Sequence, residues 1–115
     1  MDIRMTGPEE IPQPPEKVEI RNLEVEPFPD GKRVKVRVDL TPFLERPMVE
    51  VRILGSVGEV LAEATVVECA DPSFSLTLHM RSLPPGGEAR MLEVQVAYPD
   101  LSLSSTKWLR FPPVP

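Results

Sequence analysis

Residues 32–40 read KRVKVRVDL, with apolar and charged side chains in alternation. Successive side chains of an extended strand point to opposite faces, so this pattern predicts a β-strand with one buried and one solvated face. The period of two continues from about residue 17 to residue 111 and divides into seven segments, with no run at helical spacing. Short alternating segments of this kind predict two packed antiparallel sheets.

The first hairpin is predicted from PFPDGK, residues 27–32. A two-residue turn at Asp30 and Gly31 would put prolines at hydrogen-bonded positions, where they have no N–H to donate. We therefore favour a four-residue loop, residues 29–32, closed by Phe28 and Arg33. This register pairs Leu23 with Val38 and Val25 with Val36 inside, and Glu24 with Arg37 and Glu26 with Lys35 outside. A slip by one residue would set charges opposite valines, so the charges favour a single register.

Two further hairpins are predicted around GSVG, residues 55–58, and YPDL, residues 98–101. The second hairpin is expected to pair Ile53 with Val60 and Val51 with Ala62, and the third to set Val96 opposite Leu103. A bulge near Arg21–Asn22, or a switch of sheets there, would restore the alternation upstream, and a bulge at Ser104–Thr106 would restore it in the last strand. We expect the first, second and fifth strands to share one sheet, and the third, fourth, sixth and seventh to share the other.

Over residues 17–111 the chain resembles the immunoglobulin-like superfamily in its fibronectin type III-like arrangement. The resemblance rests on the strand order, on SLPPGGEARMLEVQVAY before the sixth strand, and on the closing hairpin. It implies an all-β, seven-stranded antiparallel Greek-key β-sandwich. Leu92 stands where fibronectin domains usually carry a tyrosine, and the cysteine pair and third-strand tryptophan of true immunoglobulin domains are missing. The resemblance therefore concerns architecture rather than a named family.

Composition predicts one folded domain with proline-rich ends. We expect residues 1–16 to form a disordered acidic arm, residues 17–111 the sandwich, and residues 112–115 a proline-rich tail. The net charge is −5, and residues 1–16 hold −3 of it, so the body does not favour nucleic acid or anionic lipid. A single cysteine and the absence of a leader or long apolar stretch predict a cytoplasmic protein. Scarce amides and many arginines suggest a heat-adapted source.

Residues able to carry chemistry are few. Cys69 is placed in or near the crossing between the fourth and fifth strands, and His79, the only histidine, on the outer side of the fifth strand, so no nucleophile–base pair is expected. One cysteine and one histidine cannot close a zinc site, and Asp30, Asp71 and Asp100 are better explained as turn residues than as calcium ligands. We predict no catalytic residue, no metal and no cofactor, and therefore no enzyme.

Surface residues remain as candidates for binding a partner. Phe43 and Leu44, within TPFLERP, either plug the end of the core or present an apolar knob. Lys32 and Arg33 lie at the first hairpin tip without an assigned partner. Trp108 is expected in the core, and Phe111 leads into the proline-rich tail. The predicted partner-binding surface comprises Phe43, Leu44, Lys32, Arg33, Trp108 and Phe111.

These observations favour a non-catalytic binding or scaffolding module that acts through protein–protein contacts. Two alternatives stay open: an accessory domain that binds carbohydrate or another small ligand, and a structural subunit that assembles through its sheet edges. The expected partner is another protein, with neither nucleic acid nor membrane involved.

Overall fold

Seven antiparallel strands form two sheets that enclose one core. The computed structural model describes residues 11–80 and 89–112 of the 115-residue chain. The strands are β1 Ile20–Pro27, β2 Arg33–Leu40, β3 Met48–Leu54, β4 Val60–Val66, β5 Ser73–His79, β6 Arg90–Tyr98 and β7 Leu103–Phe111. One sheet has the order β1-β2-β5 and the other the order β4-β3-β6-β7. The predicted all-β antiparallel sandwich and the assignment of every strand to its sheet are both confirmed.

The core consists of the inward positions of the alternating strands. Nine residues of the central strands β2, β3 and β6 are almost completely buried: Val34, Val36, Val38, Val49, Val51, Ile53, Leu92, Val94 and Val96. Burying one aliphatic side chain of this size contributes about 1.5–3 kcal/mol, so these positions dominate the stability of the fold. β-Branched residues suit these positions because their stiff side chains pack well on a pleated surface.

The β1–β2 hairpin has the predicted register. The Phe28 N–H donates to the Arg33 carbonyl at 2.9 Å, which leaves residues 29–32 as the loop. Gly31 in that loop has φ +71°, a left-handed conformation that glycine adopts without steric cost. The predicted bulge near Arg21 is also present, as a register shift between Ile20 and Asn22. The expected pairs are observed: Leu23–Val38, Glu24–Arg37, Val25–Val36 and Glu26–Lys35.

The charges of this hairpin do not pair as expected across the strands. In the described part of the chain, Glu24 and Glu26 form no ion pair with their register partners. Arg37 instead approaches Asp39 on its own strand, with 3.4 Å between Nη2 and Oδ1. Glu24 accepts a hydrogen bond from the Asn22 amide at 3.2 Å. The alternating charges thus mark the solvated face, and the register follows from the buried valines and the loop.

The predicted registers of the other two hairpins are wrong, each by two residues. Ile53 pairs with Ala62 and Val51 with Ala64, because Gly58, at φ +84°, closes a longer turn and an extra residue follows at Leu61. Val96 pairs with Ser105, because residues 99–102 form the third loop. A shift of two keeps the paired side chains on their faces, so alternation alone does not detect it. The exception is Val60, which the extra residue at Leu61 turns to the outer side, opposite Leu54.

The β6–β7 ladder is continuous, so the predicted bulge at residues 104–106 is wrong. The loop before it contains a 3₁₀ turn, Pro99–Leu101, and ends at Ser102 with φ +56°. Leu101, predicted to begin the last strand, therefore lies exposed in this turn. The unbroken ladder places Leu103, Leu109 and Phe111 on the side of the core.

Part of the predicted disordered arm is ordered against the sandwich. Gln13 forms a bridge with Phe43, donating its N–H to the Pro42 carbonyl at 2.8 Å and accepting the Leu44 N–H at 2.9 Å. A 3₁₀ turn, Pro15–Lys17, follows, and Pro15 is buried. Disorder at residues 11–16 is therefore incorrect, whereas residues 1–10, most of SLPPGGEA and residues 113–115 lie outside the described residues. No described helix is long and apolar enough to cross a bilayer.

Candidate functional site

The outward sides of the two sheets differ in character. The three-stranded sheet presents charged or small polar side chains at its outward positions, from Glu24 and Glu26 on β1, through Lys35 and Arg37 on β2, to Ser75 and Thr77 on β5. The outward side of β4-β3-β6-β7, termed here the four-stranded face, mixes apolar and charged groups. Its members are Met48, Glu50, Arg52, Leu54, Val60, Glu63, Thr65, Met91, Glu93, Gln95, Ala97, Ser104, Thr106, Trp108 and Arg110.

A row of polar contacts runs across the middle of the four-stranded face. Glu63, Arg52, Glu93 and Trp108 are successive register partners on β4, β3, β6 and β7. The Arg52 guanidinium lies 3.4 Å from Glu93 and 3.7 Å from both Glu63 and Glu50. The Trp108 indole N–H donates to Glu93 Oε2 at 3.0 Å. Each partly exposed pair contributes little stability by itself, but the row orients the indole on the surface.

Exposed apolar side chains cluster on this face and at its two ends. Val57 and Val60 lie at the β3–β4 turn, and Val67 and Leu101 at the opposite end. Val67 and Leu101 line a pocket of about 350 Å³ whose wall includes Met48. These four residues and Trp108 are five of the seven large hydrophobic residues that are exposed in the described part of the chain. Apolar surface concentrated on one side of a small domain is typical of an interaction surface.

The structure places Trp108 on the surface and Phe111 in the core. Trp108 is 56% exposed, so its expected position in the core is wrong and its candidacy as a surface residue stands. Phe111 is 5% exposed and belongs to the core cluster, so it is not part of a binding surface. The cause is the continuous β6–β7 register, which pairs Trp108 with Glu93 on the outer side and turns Leu109 and Phe111 inward.

Phe43 and Leu44 have different environments. Phe43 is partly buried and packs against the core cluster, as a plug at the end of the sandwich. Leu44 is 67% exposed, although its N–H is held by the Gln13 carbonyl at 2.9 Å. The loop therefore presents one apolar side chain to solvent rather than two.

At the tip of the first hairpin, one of the two cations, Arg33, has an ion-pair partner within the turn. The Arg33 Nε lies 2.9 Å from Asp30 Oδ2, and its guanidinium stacks 4.3 Å above the Phe28 ring centroid. Asp30 also accepts the Lys32 and Arg33 N–H groups at 2.9 and 3.2 Å. The Lys32 N–H, above all, holds the pKa of Asp30 below its ordinary value, and the Arg33 side chain adds to this effect. Arg33 is thus part of the turn, and only the Lys32 side chain remains as a candidate at the tip.

The groups able to carry chemistry lie far apart in the fold. Cys69 is buried, and its thiol donates to the Asp71 carbonyl at 3.3 Å. Burial raises the pKa of this thiol, which disfavours the nucleophilic thiolate. His79 is exposed on the outer side of β5, where it pairs with Arg33. Within residues 11–80 and 89–112, no three His, Cys, Asp or Glu side chains lie close enough to hold a metal ion.

Comparison with known proteins relates the chain to portions of larger enzymes. It matches solved β-glucuronidases from Parabacteroides merdae (17% identity, TM-score 0.57), Bifidobacterium dentium in complex with coumarin-3-O-glucuronide (15%, 0.58), and Ruminococcus gnavus (14%, 0.55). These matches cover 84–85% of this chain but only 14–18% of the enzymes. No protein-family model and no curated protein matches the sequence. At such low identity the likeness concerns the fold alone.

Sequence reasoning missed the four-stranded face as a unit. Its charged members, Glu50, Arg52, Glu63 and Glu93, alternate with buried residues and read as ordinary solvated positions. One signal was available. If β7 has no bulge and Phe111 points inward, strict alternation along the strand places Trp108 outward. Correct pairing of β3 with β4 was also needed to bring Glu63 to Arg52, and that pairing depends on the extra residue at Leu61.

Proposed function

We propose that this domain is a non-catalytic accessory module that binds another protein through the four-stranded face. We also propose that it is immunoglobulin-like in the fibronectin type III-like arrangement. The sheet orders β1-β2-β5 and β4-β3-β6-β7 support this arrangement, because they are the memberships that the sequence resemblance implied. The match to a small fraction of much larger enzymes supports an accessory role. The proposed location is the cytoplasm, where the free thiol of Cys69 would stay reduced.

The observation that carries the proposal is the exposed indole of Trp108, held in place by Glu93. Tryptophan is the residue most enriched at the energetic centres of protein interfaces, because it buries a large rigid surface at low entropic cost. The 3.0 Å bond to Glu93 orders the ring before any partner arrives. An ordered apolar side chain exposed to water is costly in the free protein and favourable once covered.

The charges around Trp108 indicate the chemistry of the partner. Three carboxylates, Glu50, Glu63 and Glu93, surround the Arg52 guanidinium. Arg110 lies further along β7 on the same face, so acidic side chains outnumber basic ones by one among the members of this face. A partner surface with an apolar centre flanked by Lys or Arg would complement this arrangement. The all-polar outer side of the three-stranded sheet offers no comparable anchor.

Site-specific photo-crosslinking tests the choice of face. A benzophenone amino acid replaces Thr106, beside Trp108 on the four-stranded face, or Thr77, on the outer side of β5, as the matched control. In extract from the source organism, Thr106 is expected to yield a discrete protein adduct that Trp108→Ala abolishes, whereas Thr77 yields none. Glu63→Lys is expected to weaken the adduct by reversing one of the complementary charges.

Two results would contradict the proposal. An adduct formed equally from both positions would show non-specific capture, and an adduct that survives Trp108→Ala would place the interface elsewhere. An adduct that consists of two copies of this chain would identify the partner as a second copy and would contradict an accessory role towards another protein.

Carbohydrate binding is the second candidate function. The exposed Trp108 ring offers a flat apolar surface, and Glu93, Gln95 and Thr106 beside it offer hydrogen-bonding groups. The solved structures with the same fold include β-glucuronidases bound to sugar derivatives. Screening the domain on a glycan array tests this candidate. Glycan binding that occurs without any partner protein, and that is lost in Trp108→Ala, would favour carbohydrate binding over protein binding.

Assembly through sheet edges is less well supported. β7 is an edge strand, and Lys107 on it pairs with the buried Val94, which places a charged side chain on the inward side of that edge. Inward-pointing charges at edges are a common device against strand addition, because a new strand would bury them. Light scattering that detects a concentration-dependent oligomer would nevertheless favour this alternative.

A further inference from the structure

One end of the four-stranded face carries a pocket with apolar side chains along its wall. The pocket, termed here the end pocket, has a volume of about 350 Å³. Met48 and Ala97, register partners on the outer side of β3 and β6, line it from the sheet, and Val67 and Leu101 line it from two loops. Val67 and Leu101 are both more than half exposed, so they remain in contact with water until a ligand covers them.

Two of the segments around the end pocket are held in place by hydrogen bonds. The Tyr98 hydroxyl donates to the Glu45 carbonyl at 2.7 Å, which fixes the loop before β3 against the end of β6. The Ser102 N–H donates to the Pro99 carbonyl at 3.1 Å and closes the 3₁₀ turn that carries Leu101. The pocket is therefore formed before a ligand arrives, and binding does not have to order these segments.

The charges at the end pocket are mostly acidic. Glu45 and Asp100 line it together with one base, Arg46, and Glu68 follows directly after Val67. None of the ion pairs between described residues includes any of these four charged groups. A ligand that brings a Lys or Arg side chain beside an apolar group would complement this arrangement.

We propose that the end pocket receives one large aliphatic side chain, flanked by Lys or Arg, from the partner protein that covers Trp108. The inference rests on the proposed function, because it assigns the pocket to that same partner. The volume is near the lower limit of ordinary ligand pockets, roughly 300–1,000 Å³, and suits one side chain better than an extended molecule.

The two sites are close enough for one partner segment. Ala97 lies four residues beyond Glu93 on β6, and Glu93 is the register partner of Trp108. At about 3.3 Å per residue this separation is about 13 Å, which four residues of extended chain or nine residues of helix span. A single partner surface can therefore cover the indole and fill the end pocket together.

Methyl NMR of the full chain tests the proposal with short blocked peptides. Acetyl-Arg-Leu-Arg-amide supplies the apolar side chain and the cations, acetyl-Arg-Ala-Arg-amide lacks the large side chain, and acetyl-Glu-Leu-Glu-amide reverses the charges. The first peptide is expected to shift the methyl signals of Met48, Val67 and Leu101 saturably, and not those of Val57 at the opposite end. The alanine peptide is expected to bind at least about tenfold more weakly, because it buries less apolar surface. The charge-reversed peptide is expected to bind at least about threefold more weakly.

Val67→Ser and Val57→Ser make the same change at two exposed valines on opposite ends of the sheet. Val67→Ser is expected to weaken binding of acetyl-Arg-Leu-Arg-amide at least about threefold, whereas Val57→Ser leaves it unchanged. Leu101→Ser is a second variant of the pocket, and exposed positions of this kind rarely decide folding. The proposal is overturned if no saturable shift occurs, if the leucine and alanine peptides bind equally, or if both pocket variants bind normally. Equal binding of the charge-reversed peptide would overturn the assignment of a basic flank.

The photo-crosslinking assay separates failure of this inference from failure of the proposed function. The adduct formed from Thr106 is expected to weaken at least about threefold in Val67→Ser and to stay unchanged in Val57→Ser. An adduct that requires Trp108 but is normal in both pocket variants would overturn this inference and leave the proposed function standing. Peptide binding at the end pocket without any adduct from Thr106 would overturn the proposed function, and the assignment of the pocket to that partner with it.

Discussion

Replacing Trp108 with alanine tests whether this residue is a surface anchor or a core residue. Complete removal of a buried tryptophan side chain costs about 3–5 kcal/mol, and slightly under half of Trp108 is covered, so packing accounts for about 1.5–2 kcal/mol. Loss of the 3.0 Å hydrogen bond to Glu93 adds about 1 kcal/mol. We therefore expect Trp108→Ala to lower the free energy of unfolding by about 2–3 kcal/mol and to leave the domain folded at 25 °C.

Urea unfolding followed by circular dichroism measures this change, because Trp108 is the only tryptophan and its fluorescence is lost in the variant. Trp108→Phe keeps an aromatic ring but loses the indole N–H, and is expected to cost about 1 kcal/mol. Affinity for the crosslinked partner should fall by at least about 2 kcal/mol in Trp108→Ala, about 30-fold in Kd.

The refuting outcomes are specific. A destabilisation above about 4 kcal/mol would show that Trp108 is a core residue in solution, and the four-stranded face would lose its anchor. Unchanged stability would show that the ring does not pack on Glu93 and its neighbours. Normal partner affinity in a correctly folded Trp108→Ala domain would disprove the proposed interface.

Three further predictions concern the fold. Val51→Ala, at a fully buried position, should cost about 2–3 kcal/mol in urea unfolding, and Val60→Ala, the same change at an exposed position, under about 1 kcal/mol; equal costs would contradict the assignment of Val51 to the inner face and Val60 to the outer face. Because hydrogen bonds lower the pKa of Asp30, its stabilising effect is present above the unfolded pKa of 3.8 and is lost as pH falls through the folded pKa. Asp30→Ala should therefore lower the melting temperature at pH 7 but not at pH 2, and a loss that is the same at both values would exclude ionisation as the cause. Burial raises the pKa of Tyr98 to about 12, and its hydroxyl donates to the Glu45 carbonyl at 2.7 Å. Tyr98→Phe should cost about 1 kcal/mol at neutral pH. Wild-type stability should fall between pH 10 and 12, as the unfolded state ionises first, and Tyr98→Phe should lack this fall.

The position of Trp108 shows how a local assumption misleads a sequence prediction. Expecting every large apolar residue to point inward required a bulge at residues 104–106. The protein instead keeps an unbroken ladder and leaves Ser105 and Lys107 at inward positions of an edge strand, where the strand is only partly covered. An edge tolerates polar side chains on its inner side because water reaches them, so burial at β7 is decided by the neighbouring elements.

Alternation along the chain was sufficient for the strands and their faces, because a side-chain period of two assigns each residue to a face, and the prolines of PFPDGK favoured the loop that the first hairpin has. The division of the strands between two sheets was implied by the resemblance to the immunoglobulin-like arrangement. Alternation does not distinguish registers that differ by two residues. Those of the second and third hairpins were decided by Gly58, by the extra residue at Leu61, and by the 3₁₀ turn before Ser102. The row from Glu63 to Trp108 follows from these registers. Residues of four different strands come into contact only once the sheet has formed, so no local sequence pattern predicts this contact.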